Sequence, residues 1–196
     1  MITVQLLTEQ NLQQGGTALI ELWQQQGGVI WIDIEGEDNI TEQRLLNQRQ
    51  CHPMAIQDAQ RPRHPPKVEH FANNSFILYR QLRYLDEHLE ADMQTIAFFV
   101  SQNCLISVHK DAFLDANELR QHSDFVRYMQ CPAELMCMML RMSANRQIDR
   151  IVQIEEDLSL LEERMSYHGS DYLLTQVVSY RTRLRKLKRV FKKKKK

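Results

Sequence analysis

The chain has no run of about 18 consecutive apolar residues, so no segment is suited to cross a bilayer as a helix. Its first residues, MITVQLLTEQ, lack the basic and then apolar regions of a secretory signal. Glycine (6) and proline (5) are too scarce among 196 residues for long disordered tracts. The four cysteines, Cys51, Cys104, Cys131 and Cys137, form no CxxC pair. That argues against a zinc knuckle or a thioredoxin-like site and suits a reducing compartment. Cys104, inside an apolar stretch, reads as a small buried hydrophobe.

Catalytic signatures are missing as well. No GxxxxGK[ST] or GxGxxG loop is present to cradle phosphate, and neither GxSxG nor HExxH occurs. His64 and His70 flank prolines at a spacing that fits no helical metal site. Cys51 and His52 are neighbours in sequence, which does not make a nucleophile–base dyad. An enzyme is not expected.

Acid is absent from the C-terminal end. Residues Arg181–Lys196 hold 11 basic side chains and no carboxylate. The 14 remaining basic residues face all 25 acidic ones in residues 1–180, so a formal charge of zero hides −11 in that part. A basic end seeks an anionic neighbour or is an added tail. Nucleic acid is not the expected partner, because an apolar seam runs through the basic residues and only Tyr180 and Phe191 could stack on bases. A membrane surface fits better. Lys192–Lys196 reads equally as a native end and as an expression tail.

What is present is patterned apolar sequence, 43% of residues. Ile2–Leu7 alternates as a strand, Leu12–Gln26 reads as a helix closed by Gly27-Gly28, and Val29–Ile34 reads as a buried strand. Thr41 is the expected N-cap of a helix reaching Arg49, with Leu45 and Leu46 toward the core. His52-Pro53 opens a short helix that ends in the proline-rich Arg61–Pro66. Strands follow at Ser75–Leu85, Met93–Val100 and Cys104–His109, the last two as a hairpin. From Pro132 to Tyr167 no glycine or proline interrupts a helix about 54 Å long. Its apolar seam is Ile148, Ile151, Ile154, Leu158, Leu161 and Met165. Gly169 reads as its C-terminal stop and Ser170 or Asp171 as the next N-cap. A second helix carries Leu173, Val177, Tyr180, Leu184, Leu187 and Phe191 at coiled-coil spacing. The expected architecture is an α/β/α sandwich with a mixed sheet over residues 1–131, then a long antiparallel helical hairpin over 132–191.

Two acidic groupings are candidate sites. Asp33 and Glu35 share one strand face as paired carboxylates, with a solvent-facing strand edge as the blander reading. Asp86, Glu87, Glu90 and Asp92, with His88, form a loop between apolar strands and could hold a hard cation weakly, water completing the shell. An acidic loop kept for solubility is the competing reading.

The segment CHPMAIQDAQRPRHPPKVEHFANNSFILYRQ, residues 51–81, carries a resemblance. His52, Pro53 and Asp58, then Pro66, Lys67 and Glu69, then an aromatic at 71 and the strand Phe76-Ile77-Leu78, resemble the cytosolic domain of CorA-type divalent-cation transporters. WIDIEGED (31–38), IAFFVSQNCLISVH (96–109), the acidic IDRIVQIEEDLSLLEERM (148–165) and the basic RTRLRKLKRVF follow in the family's order. Those motif residues read as structural contacts and caps.

The resemblance implies a homopentamer in the inner membrane, with this domain on the cytoplasmic side. It implies uptake of Mg2+ or Co2+ (Ni2+ is also possible for the family), gated by divalent ions bound between neighbouring domains. The family's domain-side regulatory carboxylate aligns with Asp86 and Glu87. The family's two membrane helices and Gly-Met-Asn motif are not matched, so the chain reads as a cytosolic domain holding half a regulatory site. A zinc-transporting branch of the same superfamily and a soluble helical scaffold remain open alternatives.

Overall fold

The computed structural model describes residues 1–9, 11–61, 64–85, 91–167, 175, 177–182 and 184–185. Seven strands form one sheet: β1 (Ile2–Leu7), β2 (Leu12–Gly15), β3 (Val29–Glu35), β4 (Lys67–His70), β5 (Ser75–Leu85), β6 (Ala91–Val100) and β7 (Cys104–His109). Their spatial order is β2-β1-β3-β7-β6-β5-β4. β3 and β7 run parallel, while β1–β2, β1–β3, β4–β5 and β6–β7 are antiparallel, so the sheet is mixed. The helices whose ends fall among the described residues are α1 (Ala18–Gln26), α2 (Asn39–Gln48), α3 (Pro53–Gln60), α4 (Leu114–Arg120), α5 (Phe125–Met129) and α6 (Pro132–Tyr167).

The two-residue period of a strand sends alternate side chains to opposite faces. Along β3, Ile30, Ile32 and Ile34 join one core with Val4 and Leu6 of β1, Phe99 of β6 and Ile106 of β7. Leu45 and Leu46 of α2 and Ala55 and Ile56 of α3 cover that face. Trp31 points the other way and meets Ile96, Phe98 and Leu105. There Ala116 and Leu119 of α4, Phe125 and Met129 of α5, and Leu135 and Met139 of α6 close the second core. A sheet buried on both faces explains why its central strands are nearly continuous apolar runs. The architecture is therefore a mixed sheet between helical layers, followed by the long helix α6.

Several expectations are corrected. Residues 12–15 are a strand and not the start of a helix, because they zip onto β1 from Val4↔Gly15 to Leu7↔Leu12. The cap of α2 is Asp38 and not Thr41: its Oδ1 accepts from the backbone N–H of Ile40 (2.9 Å) and Thr41 (3.0 Å), and its Oδ2 accepts from the Thr41 hydroxyl (2.7 Å). Lys67–His70 forms its own edge strand, paired with β5 from Lys67↔Leu78 to His70↔Ser75. The short helices α4 and α5 had no sequence expectation.

The chain divides into two compact units, Met1–Gln81 with Gln94–Met142, and Leu82–Met93 with Ser143–Lys196. In the second, buried Leu82 packs with Met93, Ile154, Tyr180 and Leu184. Residues 177–182 and 184–185 are helical. Ile148 and Ile151, expected in the seam of α6, are 57% and 48% exposed, so the packed part of that seam begins at Ile154. The side chains of Leu161 and Met165 lie outside the described residues. So do Gly169, Ser170, Asp171, Leu173, Leu187, Phe191 and Lys192–Lys196.

Candidate functional site

Of the acidic loop, Asp86, Glu87 and Glu90 lie outside the described residues, together with His88. Asp92 stands on β6, where its Oδ2 meets Arg83 Nη2 of β5 at 2.7 Å. Both side chains are substantially exposed, so the pair adds little stability and leaves Asp92 close to solvent. Among the described residues no group of three or more His, Cys, Asp or Glu is placed to hold a metal ion.

The 52–69 motif residues build a joint between α3 and β4. His52 caps α3, its Nδ1 accepting from Met54 N–H at 3.3 Å, and its ring stacks on Phe71 at 4.2 Å. Pro53 fills the first helical position, where a missing N–H costs nothing. Asp58, buried on the inner side of α3, accepts from Lys67 Nζ and sits 3.3 Å from His64 Nε2. Lys67 also reaches Glu69 Oε2 at 2.9 Å. Desolvation pulls the Lys67 ammonium down, but Asp58 and Glu69 outweigh it and hold its pKa above the usual value. Pro66 directly precedes the strand that Lys67 opens. Each carboxylate here faces a cation of the chain itself, so the cluster joins elements and offers no open coordination position.

Of the Asp33–Glu35 pair only Asp33 is fully buried. Asp33 is buried, because β3 is an interior strand and not an exposed edge. Parallel pairing sets Asp33 beside Ser107 and Glu35 beside His109. Asp33 Oδ1 accepts from the Ser107 hydroxyl and lies 2.9 Å from His109 Nε2, and Oδ2 accepts from Arg120 Nη2 of α4. Trp31 Nε1 donates to Ser107 Oγ at 2.9 Å, and the Arg120 guanidinium lies 4.3 Å from the Trp31 ring centroid. His109 Nδ1 faces the Asp111 carbonyl at 2.7 Å.

This grouping contains serine, histidine and aspartate, yet it cannot run nucleophilic catalysis. Ser107 donates to the aspartate and not to the imidazole. Both nitrogens of His109 face acceptors, so both carry protons and no lone pair remains to act as a base. Burial lowers the His109 pKa, but the Asp33 hydrogen bond and charge and the Asp111 carbonyl outweigh it, so the value is raised. Burial likewise pushes the Asp33 carboxyl up, and His109, Arg120 and Ser107 together overcome this and hold it below the usual range. The result is a buried cation–anion–cation cluster that ties α4 to β3 and β7. A second polar tie, Gln81 Nε2 donating to Asp115 Oδ2, anchors the start of α4. Sequence reasoning missed these partners, which lie 74 to 87 positions from Asp33.

Cys51 and Cys104 are buried free thiols, and burial pushes both up to about 12. They stay protonated and are poor nucleophiles.

The structure is a mixed sheet between helical layers, with a 36-residue helix and a buried ionic cluster that ties its elements together. The profile of the family described as CorA-like Mg2+ transporter protein matches residues 26–196, and the chain belongs to that family. No curated protein matches it. Among solved structures, the soluble domain of CorA from Methanocaldococcus jannaschii is 15% identical, with a TM-score of 0.67 over 92% of this chain and 70% of that one. The complete CorA magnesium transporter of the same organism is 14% identical with a TM-score of 0.71, over 94% of this chain and 57% of that one. The cytoplasmic domain of ZntB from Vibrio parahaemolyticus is 14% identical with a TM-score of 0.64, over 98% of this chain and 75% of that one. At these identities the likeness establishes the fold. The chain spans little more than half the length of the complete transporter. Among the described residues no helix is long and apolar enough to cross a membrane.

Proposed function

We propose that this chain is the cytosolic regulatory part of a CorA-type Mg2+/Co2+ transporter. Copies assemble as a pentamer beneath the inner membrane, and divalent ions held between neighbours restrain the pore. The family match over residues 26–196 carries the reading. Charge supports it: residues 1–180 carry −11, so acidic copies brought together repel one another, and a bound divalent cation relieves that repulsion. Asp86 and Glu87, with Glu90 and Asp92, are the proposed domain-side ligands. Loss of the ion lets the copies move apart as rigid bodies.

The test is cation flux into vesicles through a protein that carries this chain together with pore helices. Millimolar Mg2+ on the cytosolic side should slow uptake, and an Asp86→Asn, Glu87→Gln double variant should remove that slowing. Flux indifferent to cytosolic Mg2+ overturns the reading. A zinc-transporting role is the second reading, favoured by the likeness to the ZntB cytoplasmic domain. Uptake of Zn2+ in preference to Mg2+ in the same vesicles would establish it.

A further inference from the structure

The helix α4, of 7 residues, has no side chain capping its start. A helix so short is marginal by itself, so tertiary ties must hold it in place. Ala116 and Leu119 supply apolar contact, both fully buried in the second core. Polar ties reach both of its ends. At the start, His109 Nδ1 meets the Asp111 carbonyl at 2.7 Å, Gln94 Nε2 donates to the Ala112 carbonyl at 3.3 Å, and Gln81 Nε2 donates to Asp115 Oδ2. At the end, Arg120 Nη2 donates to Asp33 Oδ2, and Asp33 Oδ1 lies 2.9 Å from His109 Nε2. One imidazole thus supports the start directly and the end through Asp33.

The His109 side chain has no exposed surface, so water cannot replace a hydrogen bond that it loses. Asp33 and Glu35 of β3 are the acidic groups that face it, and Arg120 of α4 reaches it through Asp33. The lead-in loop brings the Asp111 carbonyl and the ring of Phe113, whose centroid is 5.7 Å away. Ile96 stands opposite on β6. Neither Phe113 nor Ile96 titrates.

Protonated, His109 donates from both nitrogens; neutral, it keeps one N–H and presents one lone pair. With the proton on Nε2, the Nδ1 lone pair is set against the Asp111 carbonyl at 2.7 Å. With the proton on Nδ1, the Nε2 lone pair is set against the Asp33 carboxylate at 2.9 Å, where the negative charge makes the repulsion larger. The first tautomer is therefore the favoured neutral form, and relief lies in moving the Asp111 carbonyl away. β3 and β7 are interior strands with a neighbour on each side, so they hold their places. Residues 110–113 belong to no strand or helix, so they and the short helix behind them yield first.

We propose that α4 and its lead-in, residues 110–120, form a latch closed by the proton on His109, and that loss of this proton lets the segment open while β3 and β7 stay paired. Gln81 and Gln94, which hold the lead-in, stand on β5 and β6, so opening also withdraws a support from these two strands. The latch does not depend on the transport reading. The closed form holds the proton more tightly than the open one. Opening is therefore rarest below pH 6.5, grows by up to about tenfold per pH unit above it, and levels off past the raised value of the closed form.

The test is amide hydrogen exchange of the whole chain by NMR between about pH 6 and pH 9, corrected for intrinsic rates, with the His109 ring nitrogens titrated in the same samples. The Asn117 amide, bonded to the Phe113 carbonyl, reports on α4. It should be less protected than the amides of β3 and β7, and its opening should respond only weakly to urea, as a local event does. Its protection should fall by up to about tenfold per pH unit above 6.5, and its levelling off should coincide with the ring titration. His109→Gln should remove this pH dependence. If His109→Gln does not fold, the match between ring titration and exchange in the parent chain decides alone. Protection of Asn117 equal to that of β3 and β7 at every pH overturns the proposal, because the helix then opens only with the whole domain. Protection independent of pH overturns it as well, and so does a pH dependence that persists in folded His109→Gln.

Discussion

His109 is held as an imidazolium by two acceptors, and that places a titrating charge in the middle of the second core. Its pKa is raised from 6.5, so the stability it contributes is complete below 6.5 and is lost as pH climbs through the raised folded value. Asp33 is lowered from 3.8, so its contribution is complete above 3.8 and is lost as pH falls through the lowered folded value. Thermal unfolding across pH should therefore show a plateau between two limbs. Asp33→Asn should erase the acid limb and cost about 3–5 kcal/mol, since it strands His109 and Arg120 as unpaired buried cations. His109→Gln should erase the alkaline limb and leave the acid one. An unchanged alkaline limb in His109→Gln would show that another group titrates there. The WIDIE alternation made Asp33 and Glu35 visible as a same-face pair. It could not reveal that this face is buried, because the residues that neutralise Asp33 stand on β7 and α4, far along the chain. At the 52–69 joint the opposite holds: His52 and Pro53 are adjacent to the helix they start, so local chemistry shows them directly.

Local patterns marked most elements and misjudged those that depend on a distant partner. β3, β7 and α6 were legible because a buried strand and a long uninterrupted helix each leave a pattern within one segment. Residues 12–15 were not, because their sequence LQQG becomes a strand only by pairing with β1. The helices α4 and α5, of 7 and 5 residues, are shorter than two helical turns can reveal by period, and tertiary packing of Phe125 and Met129 forms them. Between α1 and β3, Gly28 has φ +101°, and a Cβ there would sit 2.4 Å from the Leu7 carbonyl oxygen. That contact is backbone, so no side-chain rotation can relieve it. Gly28→Ala should cost more than the roughly 1–2 kcal/mol of a left-handed conformation, and chemical denaturation should show it. Gly16→Ala is the control, because nothing lies within 4 Å of its Cβ direction. Equal stability of the two variants would mean that the turn at Gly28 rearranges freely.

For the whole molecule, the proposed divalent-ion control works either by screening or by binding. Both mechanisms reduce repulsion between copies whose residues 1–180 carry −11, but they respond to different variables. Screening depends on ionic strength alone, with a Debye length of about 10 Å at 0.1 M salt, so NaCl and MgCl2 at equal ionic strength should act alike. Binding at the Asp86–Asp92 loop depends on the ion, and it requires ligands from a neighbouring copy or from water to complete a shell of six or more oxygens, as hard cations demand. Millimolar MgCl2 should then shift the sedimentation of a protein containing this chain and pore helices toward the assembled form, while NaCl at matched ionic strength leaves it unchanged. Asp86→Asn with Glu87→Gln removes two carboxylates. Under either mechanism it weakens repulsion in plain buffer; under binding it also abolishes the Mg2+ effect that exceeds matched NaCl. An Mg2+ effect beyond that of matched NaCl, present in the parent chain and lost in the variant, identifies binding, and its absence from both would place the control of this domain in its net charge.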